Sequence, residues 1–90
     1  MIMPANMSQE LKFPVEWYYH IITEAGNVQC EAELKQLLAA FDKSVVMTAG
    51  QKSGGGKYQS YRARVKFENR TDMETLSRRL GQVTGVKFLL

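Results

Sequence analysis

The 90-residue sequence is short of the residues that most often carry chemistry: it has one cysteine, Cys30, and one histidine, His20. A lone cysteine forms no intrachain disulfide, which fits a reducing compartment. A metal site takes three or four ligands at suitable spacing, and beyond His20 and Cys30 only scattered carboxylates on expected solvent faces remain. The composition therefore calls for no metal and no cofactor. No run of about 18 apolar residues is present, so no membrane-spanning helix is expected. Met1 to Met7 lacks the basic n-region and apolar h-region of a secretory leader, so the expectation is a cytoplasmic protein. Met1, Met3 and Met7 each offer a translation start. A strong charge excess is missing too. Twelve Lys+Arg against nine Asp+Glu leave +3, too mild a balance to identify a nucleic-acid binder by itself.

What is present describes one small folded domain. The chain is 44% hydrophobic and 23% charged, ordinary for a globular protein and too apolar for disorder. At ~0.05–0.15 kcal/mol per residue, its stability amounts to about 4–13 kcal/mol, which leaves little for strained catalytic geometry. Residues 1–10 show no sustained period and are expected to form a mobile tail, with residues 11–90 the folded domain. Phe13 should tuck against that domain, and Pro14 imposes an extended entry.

Periodicity then sets the order of elements. Glu16 to Glu24 is rich in aromatic and β-branched residues on both faces, which predicts a central strand. Asn27 is a good N-cap, and Leu34, Leu37, Leu38 and Phe41 recur at helical spacing, predicting a helix from Val28 to Phe41. Ser44 to Gln51 reads as a second strand, and Ser53-Gly54-Gly55-Gly56 as a flexible turn. Tyr58 to Glu68 has the plainest pattern. Tyr61, Ala63, Val65 and Phe67 fall on one face, and Arg62, Arg64 and Lys66 on the other. Thr71-Asp72-Met73-Glu74 reads as a capping box opening a second helix, with Met73, Leu76 and Leu80 as its buried stripe. Val86 to Leu90 is the last strand. The order β-α-β-β-α-β, with right-handed crossovers, predicts an α+β ferredoxin-like split β-α-β sandwich. Its antiparallel sheet has order 4-1-3-2, with both helices on one face.

Three candidate sites come out of this reading. Ser53 to Lys57 looks superficially like a phosphate loop, but Gln51 stands where the first glycine belongs and a strand, not a helix, follows. A Cys30–His20 pair would need the first strand to meet the start of the first helix, and burial of Cys30 as a small hydrophobe is the commoner outcome. The third is the helix-free sheet face, where Tyr18, His20 and Ile22 should lie beside Arg62, Arg64 and Lys66, with Lys87 and Leu89 from the last strand. Such a face can hold an RNA base, an anionic metabolite or an acidic protein patch. The bland alternative is a solvated face whose charges prevent aggregation.

Leu11-Lys12-Phe13-Pro14 before an aromatic strand, Ser53 with Gly56-Lys57-Tyr58-Gln59-Ser60, and the terminal Val86-Lys87-Phe88-Leu89-Leu90 together resemble the YbeD-like family of small bacterial proteins. The resemblance covers Leu11 to Leu90. It implies a ferredoxin-like sandwich similar to ACT-type regulatory domains, and it brings no established catalytic residue or cofactor. Ser77 departs from relatives that often carry an aromatic there. The expected function is a non-enzymatic regulatory or protein-interaction module, with a protein partner or homodimer ahead of a small-molecule effector. RNA binding through the open sheet face is the alternative. An acylphosphatase-type enzyme is rejected because Ala25-Gly26-Asn27-Val28 supplies no arginine after the first strand.

Overall fold

A computed structural model describes residues 11–90. The expected tail and the three start methionines lie outside the described residues. The fold grows from strand β3, Tyr58–Phe67, in which Tyr61, Ala63, Val65 and Phe67 are buried while Arg62, Arg64 and Lys66 are exposed. Strict alternation of this kind puts one face of a strand on a core and the other in water. Strand β1, Val15–Glu24, runs antiparallel beside it over its full length, with Val15 opposite Phe67 and Glu24 opposite Tyr58. This register carries Tyr19, Ile21 and Thr23 to the buried side. Strands β2, Met47–Ser53, and β4, Val86–Leu89, complete a sheet of order β2-β3-β1-β4. That is the expected 4-1-3-2 order read from the other edge.

Helices α1, Val28–Phe41, and α2, Arg70–Gly81, cover one side of this sheet. Cys30, Leu34 and Leu38 from α1 and Met73, Leu76 and Leu80 from α2 join the buried strand residues in one cluster. Phe67 lies at its centre and is fully buried. Its ring takes the edge of Tyr19 at 6.3 Å between centroids and a tilted contact from Phe41 at 5.1 Å. Each such fully buried side chain is worth roughly 1.5–3 kcal/mol, so a domain this small depends on a handful of them. Phe13 packs against the cluster as expected, with the Arg70 guanidinium 5.8 Å above its ring.

Beyond shifts of one residue at strand ends, three features differ from expectation. The second strand begins at Met47 rather than Ser44. The Asp42 carboxylate accepts from the Ser44 backbone N–H at 2.9 Å and the Ser44 hydroxyl at 2.8 Å, and Val45 N–H donates to the Asp42 carbonyl. Those local bonds hold the segment in a turn after the helix. Pairing then persists to Ser53, because positive φ begins only at Gly54. The second correction concerns the start of α2. Asn69, not Thr71, is the cap: its side-chain oxygen accepts from Asp72 N–H at 2.8 Å, and its amide donates to the Asp72 carboxylate at 3.3 Å. The expected Thr71–Glu74 capping box is thus replaced by an asparagine cap two residues earlier, with the Asn69 and Asp72 side chains bonded to each other. Asn27 caps α1 as expected, accepting from Cys30 N–H at 2.9 Å.

The third correction changes which residues face out. Ile21 pairs with Leu89, Ile22 with Phe88, and Thr23 with Val86, so the ladder slips between Ile22 and Thr23 and Lys87 is the extra residue. A bulge re-aims the side chains on either side of it. Leu89 therefore packs on the helix side against the core, and Phe88 takes the outward position expected of Leu89.

Asn69→Ala should lower unfolding free energy by about 1 kcal/mol, as loss of a cap does. Thr71→Ala should stay within about 0.5 kcal/mol, as an exposed substitution does. Urea denaturation of the two variants separates them, and equal losses would return the cap to Thr71.

Candidate functional site

The sheet face opposite the helices is assembled by register. His20 stands opposite Arg62, and Thr48 stands opposite Arg62 on the other side. Thr48, Arg62 and His20 thus form one transverse row across β2, β3 and β1. The adjoining rows are Tyr18 with Arg64 and Phe88 with Ile22 with Ser60. A shallow depression of about 450 Å³ is lined by Tyr18, His20, Val46, Thr48, Arg62 and Arg64. A second of about 460 Å³ shares His20 and Arg62 and continues past Ile22 and Ser60. Tyr18 is 66% exposed and Phe88 60%, so two large aromatic rings stand in water on either side of the central row.

All six residues expected on this surface are found at or beside it: Tyr18, His20, Arg62, Arg64, Lys66 and Lys87. The sequence reading missed their counter-charges. Arg64 Nε lies 3.7 Å from the Glu16 carboxylate, Lys66 Nζ 4.0 Å from Glu68, and Lys87 Nζ 3.5 Å from Glu24. Tyr18 and Glu16 both stabilise the charged Arg64 guanidinium, the tyrosine by hydrogen bonding. Among the described residues, Arg62 has no carboxylate within ion-pair distance. The face is therefore nearly neutral, with one cation left over at its middle. Strand alternation put Glu16 and Glu24 on this face from the start, since both share the parity of Tyr18 and His20. Phe88 could not be found that way, because the bulge reverses the parity of β4.

The rival sites fall away on geometry. Cys30 is 1% exposed in the helix-side core, whereas His20 faces the other side of the sheet. Burial first, then the carboxylates of Glu33 and Glu24, push the Cys30 thiol up, opposite to what a nucleophile needs. Gly54, Gly55 and Gly56 form a hairpin tip at positive φ, closed by Gly56 N–H on the Ser53 carbonyl at 3.1 Å. That is a turn between strands. Among the described residues, no group of three or more His, Cys, Asp or Glu is placed to hold a metal ion. No described helix is long and apolar enough to cross a membrane. The Tyr19 hydroxyl is 2.6 Å from the Ser77 hydroxyl, so the small residue at Ser77 supplies a hydrogen-bond partner beneath α2.

With the geometry in place, comparison with known proteins adds the following. The family described as "Protein of unknown function (DUF493)" matches residues 8–90. No curated protein matches the chain. A solution structure of protein HP0495 from H. pylori is similar at a TM-score of 0.76 and 19% identity, over 100% of this chain and 97% of that one. A second solution structure of the hypothetical protein HP0495 from Helicobacter pylori gives 0.61 at 19% identity, over 87% of each chain. At that identity the likeness establishes the fold alone.

Burial raises the Tyr19 and Cys30 pKa values, and burial with the nearby Glu31 carboxylate raises that of Tyr61. Above the unfolded pKa of each group, the folded chain still holds a proton that the unfolded chain has released. Their contribution is full below the unfolded values and is lost as pH rises through the folded ones. The melting temperature should fall steadily from about pH 8.5 upward, the unfolded cysteine value. In Cys30→Ala the onset should move to about pH 10, where unfolded tyrosines titrate. A melting temperature that is flat or rising between these values would contradict the assignment.

Proposed function

The chain belongs to the DUF493 family of proteins of unknown function, and from that premise we propose that it is a non-enzymatic regulatory module that docks a protein partner on its helix-free sheet face. The observation that carries this reading is the pairing of two exposed aromatics, Tyr18 and Phe88, with cations that already hold their own carboxylates. Exposed rings offer the apolar, rigid contact area that dominates protein–protein recognition. Surface ion pairs at 3.5–4.0 Å add little stability to the fold itself. They do cancel charge that would otherwise attract a polyanion. The depressions are shallow and shared across three strands, which suits a partner laid over a surface better than a substrate held in a cleft. A second copy of this chain is one partner such a face admits.

RNA binding is the weaker reading on this geometry. RNA-binding sheets of this kind set several aromatics close together so that two or three bases can stack on them. The central row here, Thr48, Arg62 and His20, holds no Phe, Tyr or Trp, and Tyr18 stands one row away. Two of the three β3 aromatics, Tyr61 and Phe67, are turned into the core, and Tyr58 lies half-buried at the hairpin end of the strand, away from the central row. Three of the four cations are neutralised locally, which reduces the counterion release that drives nucleic-acid affinity.

The test is capture from native cell extract on the immobilised chain and on a Tyr18→Ser/Phe88→Ser variant, each with and without nuclease. Proteins retained by the wild type, lost on the variant and indifferent to nuclease are the expected result. Equal retention on both, or retention that nuclease abolishes, would refute the reading. Light scattering of the purified chain reports whether that partner is a second copy.

A further inference from the structure

We infer that Arg62 is the anchor for a single carboxylate of the protein partner, carried on an extended segment with an apolar residue two positions to either side. The inference deepens the docking reading above and rests on it. Arg62 occupies the centre of the open face, between Thr48 and His20 in one row. Tyr18 lies one row to one side, and Ile22 with Phe88 lies one row to the other. Any surface that covers both exposed rings must also cover the Arg62 guanidinium.

Removing a charge from water without a counter-charge is strongly unfavourable. The other cations of this face meet that requirement within the chain: Arg64 has Glu16, Lys66 has Glu68, and Lys87 has Glu24. Among the described residues of the face Arg62 alone does not, so the partner must bring its own anion to that spot. A guanidinium takes a carboxylate through two parallel N–H donors, which fixes orientation as well as position. The hydroxyl of Thr48 and the ring of His20 stand on either side of the anion's place, and both line the same depression of about 450 Å³.

The spacing follows from strand geometry. Rows two residues apart on a strand are separated by about 6.6 Å, and an extended peptide advances by the same distance every two residues. A segment lying along β1 and β3 with its acid on Arg62 therefore places its i−2 and i+2 side chains over Tyr18 and over Ile22 with Phe88. The pattern that fits is apolar-x-Asp/Glu-x-apolar in an extended conformation.

A phage-displayed random heptapeptide library, selected separately on the full wild-type chain and on Arg62→Glu, tests this. Arg62 is exposed, so unchanged circular dichroism should show that the variant is folded. The wild type should enrich one acidic residue with apolar residues at i±2. The best such peptide should shift the amide resonances of Tyr18, His20, Ile22, Thr48 and Arg62, and its affinity should drop about 30-fold or more on Arg62→Glu. Peptides that map to this face but carry no acid, or bind both chains equally, overturn the anchor and leave the docking reading standing. Peptides that map elsewhere, or a library that yields none, overturn both.

Discussion

The structure depends on one long strand pairing. β1 and β3 lie side by side for ten residue pairs, from Val15 with Phe67 to Glu24 with Tyr58. Because strand side chains alternate with a period of two, fixing that register decides at once which residues are core and which are surface. Phe67, Val65 and Ile21 go under the helices, and Arg62, Arg64, Tyr18 and His20 go to the open face. A slip of one residue would expose the first set and bury three cations, so the hydrophobic cluster and the outward face are two consequences of one constraint. The helices add the other half of the core, and both begin on an asparagine that satisfies an otherwise orphaned backbone donor.

Most of this was legible from residues alone, for physical reasons that also explain the failures. β3 was readable because its alternation is nearly perfect, and α1 because Leu34 and Leu38 fall on a helical stripe beneath a strong cap. β2 was misplaced because Val45 and Val46 have strand propensity, while the Asp42–Ser44 bonds that override it are a matter of local geometry. The cap of α2 was misplaced because Thr71 and Glu74 satisfy the spacing rule, and Asn69 with Asp72 satisfies it equally well two residues earlier. At the C-terminal strand, a single extra residue, Lys87, reverses the parity on which any face assignment relies. Alternation has no means of announcing a bulge.

The surface was harder to read than the core because its character lies in pairs. Arg62, Arg64 and Lys66 form a basic stripe in one dimension, and that stripe invites a polyanion. In three dimensions Glu16 reaches diagonally to Arg64, and Glu68 and Glu24 come to Lys66 and Lys87. The stripe becomes a near-neutral, aromatic-flanked patch with one open cation. Those three carboxylates are what favour the proposed protein partner over the nucleic-acid alternative.

The central claim is that β3 alternates between core and open face, with Arg62 opposite His20 and Val65 opposite Trp17 on β1. Its most direct test is thiol accessibility in a Cys30→Ala background, with single cysteines placed in turn at Arg62, Ala63, Arg64 and Val65. The account predicts rapid modification of the folded chain at 62 and 64, and modification at 63 and 65 only as fast as the chain unfolds. Protection at 62 and 64 with free reaction at 63 and 65, or uniform reactivity along the strand, would contradict it.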